Sequence, residues 1–196
     1  MNMLSLNKWK YQAGAALLAA AFAAPSAYAA DPALSIVATP STGVVGSTID
    51  LDIRIADVTD LYSYNFSLVF NPSYLQVTGA SEGSFLGTGG GATDFGVVDL
   101  SGTPGLVSYV YGAKFGAVPG ESGSGSLAHL SFKVIGAGTS TLSFSDVGFF
   151  NFAGSDIAPQ YGALTLVTTA VPEPETYLMM GVGLIGLAAL RRRRAA

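Results

Sequence analysis

The sequence predicts an all-β sandwich of about nine strands, flanked by an N-terminal export signal and a C-terminal tail. Three observations carry this. Apolar and polar residues alternate with period two, the mark of a strand with one dry and one wet face. Gly, Pro, Ser and Asp recur between these runs as turn formers. No stretch between Asp31 and Val171 shows helical periodicity.

The elements follow in chain order. Lys8 and Lys10 precede an apolar run from Ala13 to Ala24, and Pro25 then interrupts it before Ala27-Tyr28-Ala29. A basic start, a short apolar middle and small residues at the cut describe a secretory signal. Residues 1–29 are therefore expected to be removed by signal peptidase between Ala29 and Ala30. The run is too short for a membrane anchor, which needs about 20 residues.

The expected strands begin at Leu34–Ala38. Ile49, Leu51, Ile53 and Ile55 then alternate with polar neighbours, as do Tyr64, Phe66, Leu68 and Phe70. Shorter runs follow at Tyr74–Thr78, Phe95–Leu100 and Leu106–Tyr111. Ala128, Leu130, Phe132 and Val134 form another alternating set, followed by Leu142 with Phe144 and by Ala163–Thr168. Ser81–Thr93 and Gly112–Gly125 are glycine-rich and read as surface loops. The first lacks the Lys and Ser/Thr that complete a phosphate-binding loop.

The tail has three parts. Val171, Pro172, Glu173 and Pro174 come first, then an apolar stretch from Thr176 to Leu190, then Arg191, Arg192, Arg193 and Arg194. The stretch is expected to be a transmembrane helix over 176–190, although fifteen helical residues reach only about 22 Å. Arginine stems can extend to the interface, and the cluster would stay cytoplasmic, fixing orientation. Gly181-Val182-Gly183-Leu184-Ile185-Gly186 matches a dinucleotide-binding pattern, but it follows no strand and so lacks the required context.

Composition narrows the chemistry. The chain has no Cys and one His, which excludes disulfides, thiolate metal clusters and multi-His zinc sites. From Ala30 to Val171 there are eleven acids and only three bases, Arg54, Lys114 and Lys133. Such a surface repels phosphate backbones, so nucleic acid is not an expected partner. His129 shares strand parity with Leu127, Ser131 and Lys133, which reads as a solvent-facing position. No G-x-S-x-G elbow accompanies it. Asp50 and Asp52 share a strand face, the sole candidate acid pair for glycoside hydrolysis. Asp57 and Asp60 flank an expected turn; they are weak candidates for calcium, and otherwise no cofactor is expected. Tyr62 and Tyr64 share the buried parity of Phe66. Tyr109 and Tyr111 share one face, and Tyr161 lies in a loop-like stretch.

Two resemblances add to this reading. Val171-Pro172-Glu173-Pro174, the short apolar helix and the four arginines resemble the PEP-CTERM sorting signal of Gram-negative bacteria. That implies processing by an exosortase after transient inner-membrane anchoring, and delivery to the cell surface or exopolysaccharide matrix. Within the middle, Phe66-Ser67-Leu68-Val69-Phe70-Asn71-Pro72-Ser73-Tyr74-Leu75-Gln76-Val77 resembles a cohesin strand–turn–strand, with Asn71 where Asp is usual. Ser124–Val134 resembles a later cohesin strand. This implies a jelly-roll fold shared with some carbohydrate-binding modules. The expected organisation is signal peptide 1–29, cohesin-like domain 30–170 and sorting signal 171–196. The expected role is a non-enzymatic surface or matrix protein that binds extracellular polysaccharide or a surface protein. The alternative is a surface polysaccharide hydrolase.

Overall fold

The computed structural model describes residues 30–171 and 174–194. The expected signal, its cut after Ala29, and Pro172 and Glu173 lie outside the described residues. Ten strands follow in order: β1 (Ala33–Thr39), β2 (Thr42–Val44), β3 (Thr48–Val69), β4 (Leu75–Glu82), β5 (Thr93–Asp99), β6 (Leu106–Lys114), β7 (Glu121–Val134), β8 (Gly138–Asn151), β9 (Gln160–Tyr161) and β10 (Leu164–Thr169). No helix occurs between residues 30 and 171, and α1 spans Pro174–Arg194.

β3 organises the domain. Its first part pairs antiparallel with β1 and β7, from Thr39↔Asp50 and Thr48↔Lys133 onward. Its last part pairs antiparallel with β6 and β8, for example Asn65 with Tyr111 and with Gly148. One layer therefore runs β9-β1-β3-β7-β4, and the other β5-β6-β3-β8-β10-β2. The register slips between Ile55 and Val58 and again between Val58 and Leu61. Asp57 and Asp60 sit in these irregularities at φ 54° and 57°. Aspartate tolerates this left-handed backbone better than most residues. The freed backbone N–H groups of Asp57 and Asp60 donate to Ser124 Oγ and Ser122 Oγ, both at 2.9 Å. The expected turn between two strands is thus a bulged passage within one strand, and two expected strands become one. β2 and β9 were not expected; at three and two residues they are too short to show alternation.

The core fills the space between the layers. Ile49, Leu51, Ile53 and Ile55 line the inner side of one layer beside Phe132 and Leu130 of β7, and Phe66 and Leu68 line the other, all essentially fully buried. Phe70 meets Phe132 edge to face with centroids 5.0 Å apart. Tyr64 is buried as expected, and its hydroxyl donates to Leu127 O across the core at 2.6 Å. Burial, with Glu82 nearby, pushes its phenol pKa well above the usual tyrosine range, so it remains a donor. The Tyr64 ring lies over Gly112, where any Cβ would stand 2.5 Å from it. Tyr62 departs from expectation. It is half-buried, with its hydroxyl on Gly116 O at 2.8 Å.

The tail segment is helical, as expected, and continues through the arginines. Pro174 opens the helix, where its missing N–H costs nothing. Leu178, Met179, Met180, Leu184 and Ile185 are exposed. No helix among the described residues is long and apolar enough to cross a membrane. A transmembrane helix over 176–190, the expectation from the sequence, is thus not shown by the described residues. The apolar stretch is only fifteen residues, and Gly181, Gly183 and Gly186 dilute it.

Candidate binding face

Chemistry-bearing residues gather at three places. The first is the outer side of the β1-β3-β7 layer. Asp52 accepts a hydrogen bond from Ser126 Oγ and pairs with the Arg54 guanidinium at 2.8 Å. His129 lies alongside, Nε2 3.3 Å from Ser126 Oγ and Nδ1 3.7 Å from Asp52 Oδ1. The residue types are those of a hydrolytic triad, but the proton path is not. A triad needs the serine proton directed at histidine, with the carboxylate reserved for the other ring nitrogen. Here the serine proton goes to aspartate, and Arg54 holds the remaining carboxylate oxygen. His129 is about half exposed, at 49%. Leu127, placed beside it by parity, is instead buried. A register shift opposite Ile53 and Arg54 turns both Leu127 and Ala128 inward. Asp50 accepts from Ser131 Oγ at 2.6 Å.

The second place is the β3 passage. Asp60 Oδ1 accepts from Gly120 N at 2.8 Å, and Oδ2 from Phe152 N at 3.3 Å. Its carboxylate is thereby committed to main-chain donors. Among the described residues, no group of three or more His, Asp or Glu is placed to hold a metal ion.

The third is the outer side of the β5-β6-β3-β8 layer. A bulge in β6 sets two residues, Ser108 and Tyr109, opposite Ser67. Tyr109 takes φ 52°, and its N–H is caught by Ser67 Oγ at 3.1 Å. This turns the ring outward at 45% exposure. Tyr111 lies on the same side, centroid 6.3 Å from Tyr109, as the shared parity predicts. Its phenol reaches across β5 to Gly96, where a Cβ would meet the hydroxyl at 2.5 Å. Asn65 anchors the middle, donating to Asp146 O at 2.7 Å. Together with Phe150 and Ser63 these residues line a shallow depression of about 210 Å³. Asp94 on β5, paired with Ala113 of the lining, and Asp146 on β8, whose carbonyl takes the Asn65 amide, neighbour these residues, both exposed. Tyr161, exposed in β9, lies on the other layer.

A buried ion pair supports this layer. Lys114, at the end of β6, is 3% exposed and bonds Glu121 of β7. Glu121 also accepts from Gly89 N at 2.9 Å, tying down the glycine-rich loop. Glu82 accepts from Thr93 Oγ1 at 3.1 Å, while its other oxygen is buried without a partner. The sequence offers one signal for the pair: Lys114 and Lys133 are the only lysines of the domain, and a lone basic residue ending an apolar strand is out of place on a dry face.

A family model described as the cohesin domain matches residues 34–163, and one described as the PEP-CTERM protein-sorting motif matches residues 170–194. No curated protein sequence matches the chain. Solved structures share the fold at low identity. A non-cellulosomal cohesin from the hyperthermophilic archaeon Archaeoglobus fulgidus is 18% identical, covering 76% of this chain and 98% of its own, with a TM-score of 0.52. The second type II cohesin module from the adaptor ScaA scaffoldin of Acetivibrio cellulolyticus is 19% identical, covering 67% and 86%, with a TM-score of 0.57. The type I cohesin–dockerin complex Coh-OlpC-Doc435 from Clostridium thermocellum matches at 17% identity, covering 74% and 99%, with a TM-score of 0.56. The model match over most of the sandwich places this chain in the cohesin domain family, with a PEP-CTERM sorting motif at its end.

Proposed function

We propose that this chain is an exported, cell-surface binding module whose ligand is another protein, held on the outer face of β5-β6-β3-β8. The observation that carries this is the Tyr109–Tyr111 pair, turned outward on a rigid sheet beside a depression. Tyrosines supply large contact area at little conformational cost and are enriched where proteins meet. The Clostridium thermocellum relative is itself in complex with a dockerin. A second reading, extracellular polysaccharide as ligand, is favoured by the same tyrosines beside Asn65. The hydrolase alternative finds little support, because Asp50 and Asp52 are occupied by Ser131, Ser126 and Arg54.

The tail serves delivery. In this reading Val171, Pro172, Glu173 and Pro174 are read by an exosortase-type enzyme in a Gram-negative envelope. The apolar helix associates with the inner membrane during processing, and Arg191–Arg194 hold its orientation. An N-terminal signal peptidase cut between Ala29 and Ala30 precedes this.

One cell-based experiment tests both halves. The full chain carries a tag before Val171, and two double variants accompany it. Pro172→Ala/Pro174→Ala is expected to export but remain unprocessed with the cell envelope. Tyr109→Ser/Tyr111→Ser is expected to be processed normally but to lose its cross-linked partner protein at the cell surface. Normal processing of the first variant defeats the sorting role. Unchanged cross-linking of the second defeats the binding face.

A further inference from the structure

We infer that the partner of the β5-β6-β3-β8 face is a cationic protein surface, one presenting Lys or Arg side chains; this rests on the binding face proposed above. The argument starts with where the few cations went. Residues 30–171 contain three, and none serves this face. Lys114 is buried in its pair with Glu121. Arg54 is bound to Asp52 on the other layer. Lys133 stands on β7 opposite Thr48 and Gln76, also on the other layer. The acids are not segregated in this way. Asp94, opposite Ala113 of the lining, and Asp146, whose main-chain carbonyl takes the Asn65 amide, are both exposed; Asp146 accepts only from Ser145 Oγ at 3.3 Å, and neither forms an ion pair among the described residues.

The shape of the site fits the same partner. Exposed tyrosine faces attract guanidinium and ammonium groups through the ring quadrupole. Carboxylates at either side then accept the N–H donors of a long basic side chain lying over the rings. An acidic polysaccharide or a phosphorylated surface meets like charge here, which costs binding. A neutral glycan stacks on the rings but gains nothing from the acids. Only a basic surface uses both features. The negative field of the domain, eleven acids against three bases, also draws such a partner in.

The test uses the full-length protein and a fluorescein-labelled nona-arginine peptide, read by fluorescence anisotropy at low and raised salt. Every variant is first checked for an unchanged thermal unfolding midpoint. Asp94→Asn/Asp146→Asn is expected to weaken binding by about tenfold and flatten its salt dependence. Tyr109→Ser is expected to weaken it several-fold. Asp31→Asn/Asp50→Asn removes the same charge elsewhere and is expected to leave affinity within about twofold, as distant exposed charges are screened. Equal weakening in the two double variants would reduce the effect to diffuse net charge and overturn the inference. So would absence of peptide binding at low salt. If Tyr109→Ser abolishes cross-linking to the surface partner while peptide binding is indifferent to Asp94 and Asp146, the cationic inference fails and the binding face stands. If Tyr109→Ser alters neither, both fail together.

Discussion

Asp52 and Asp94 are both aspartates on the outer side of a strand, yet their surroundings differ in kind. Asp52 is enclosed by Arg54, Ser126 and His129, and its neighbour Asp50 by Ser131. Asp94 faces solvent opposite Ala113, which lines a depression walled by aromatic rings, and it forms no ion pair among the described residues. One outer face pairs a carboxylate with a cation of its own; among the described residues the other does not. A face whose carboxylates are already bonded has less to gain from a basic partner. An unsatisfied one leaves its attraction available to a partner. The same number of carboxylates therefore marks a closed surface on one layer and an open one on the other.

This contrast can be broken most severely from beneath. Lys114 lies under the open face, and Lys114→Met would leave the Glu121 carboxylate without its cation and with only the Gly89 N–H. Removing one member of a buried pair costs about 3–5 kcal/mol. Urea denaturation is expected to show a loss of this size, with Lys114→Met/Glu121→Gln recovering a substantial part. A loss confined to a few tenths would mean that the pair is not buried in solution.

The closed face offers a smaller effect. Ser126→Ala removes the hydroxyl that shares Asp52 with Arg54, and a net cost of about 1.5–3 kcal/mol is expected for one hydrogen bond to a charged group. The measurement is again the denaturation midpoint, and the peptide affinity of the open face should not move. A change in that affinity would couple the two faces and weaken the contrast between them.

The smallest effect is one of pH. Asp99, at the end of β5, accepts from Gly102 N, Thr103 Oγ1 and Ser101 N, which hold its carboxyl below the usual carboxylate range. A depressed folded-state value means that its contribution is complete above the ordinary carboxylate pKa, near pH 4. It is lost as pH falls through the lowered value. The stability gap between wild type and Asp99→Asn should therefore be constant above about pH 4 and narrow below it. A gap that instead widens as pH falls from about 7 to 5 would place the carboxyl above its ordinary value.

Much of this fold was legible because alternation is local. Ile49 to Ile55 and Tyr64 to Phe70 announce their buried faces within seven residues each. Their union did not, because Asp57-Val58-Thr59-Asp60 carries the chemistry of a turn. Only Ser122 and Ser124, more than sixty residues away, turn it into a bulged strand by taking the freed N–H groups. Tyr109 and Tyr111 were correctly set on one face. That this face is the open one depends on the bulge opposite Ser67, which no parity rule contains. Leu127 shows the converse error, where parity continued through a slip that the strand did not respect. Long-range hydrogen bonds and register slips are what a pattern of near neighbours cannot carry.

Because one strand belongs to both layers, neither layer can be completed first. β3 must find β1, β6, β7 and β8, partners on either side of it in sequence and up to about a hundred residues distant, before any core closes. Chains dominated by such distant pairings fold in milliseconds to seconds, far more slowly than a helical bundle of this size. For an exported protein that delay is useful. The polypeptide stays extended and threadable for longer than a locally folding domain would, and acquires its rigid shape only when the final partner strands have emerged.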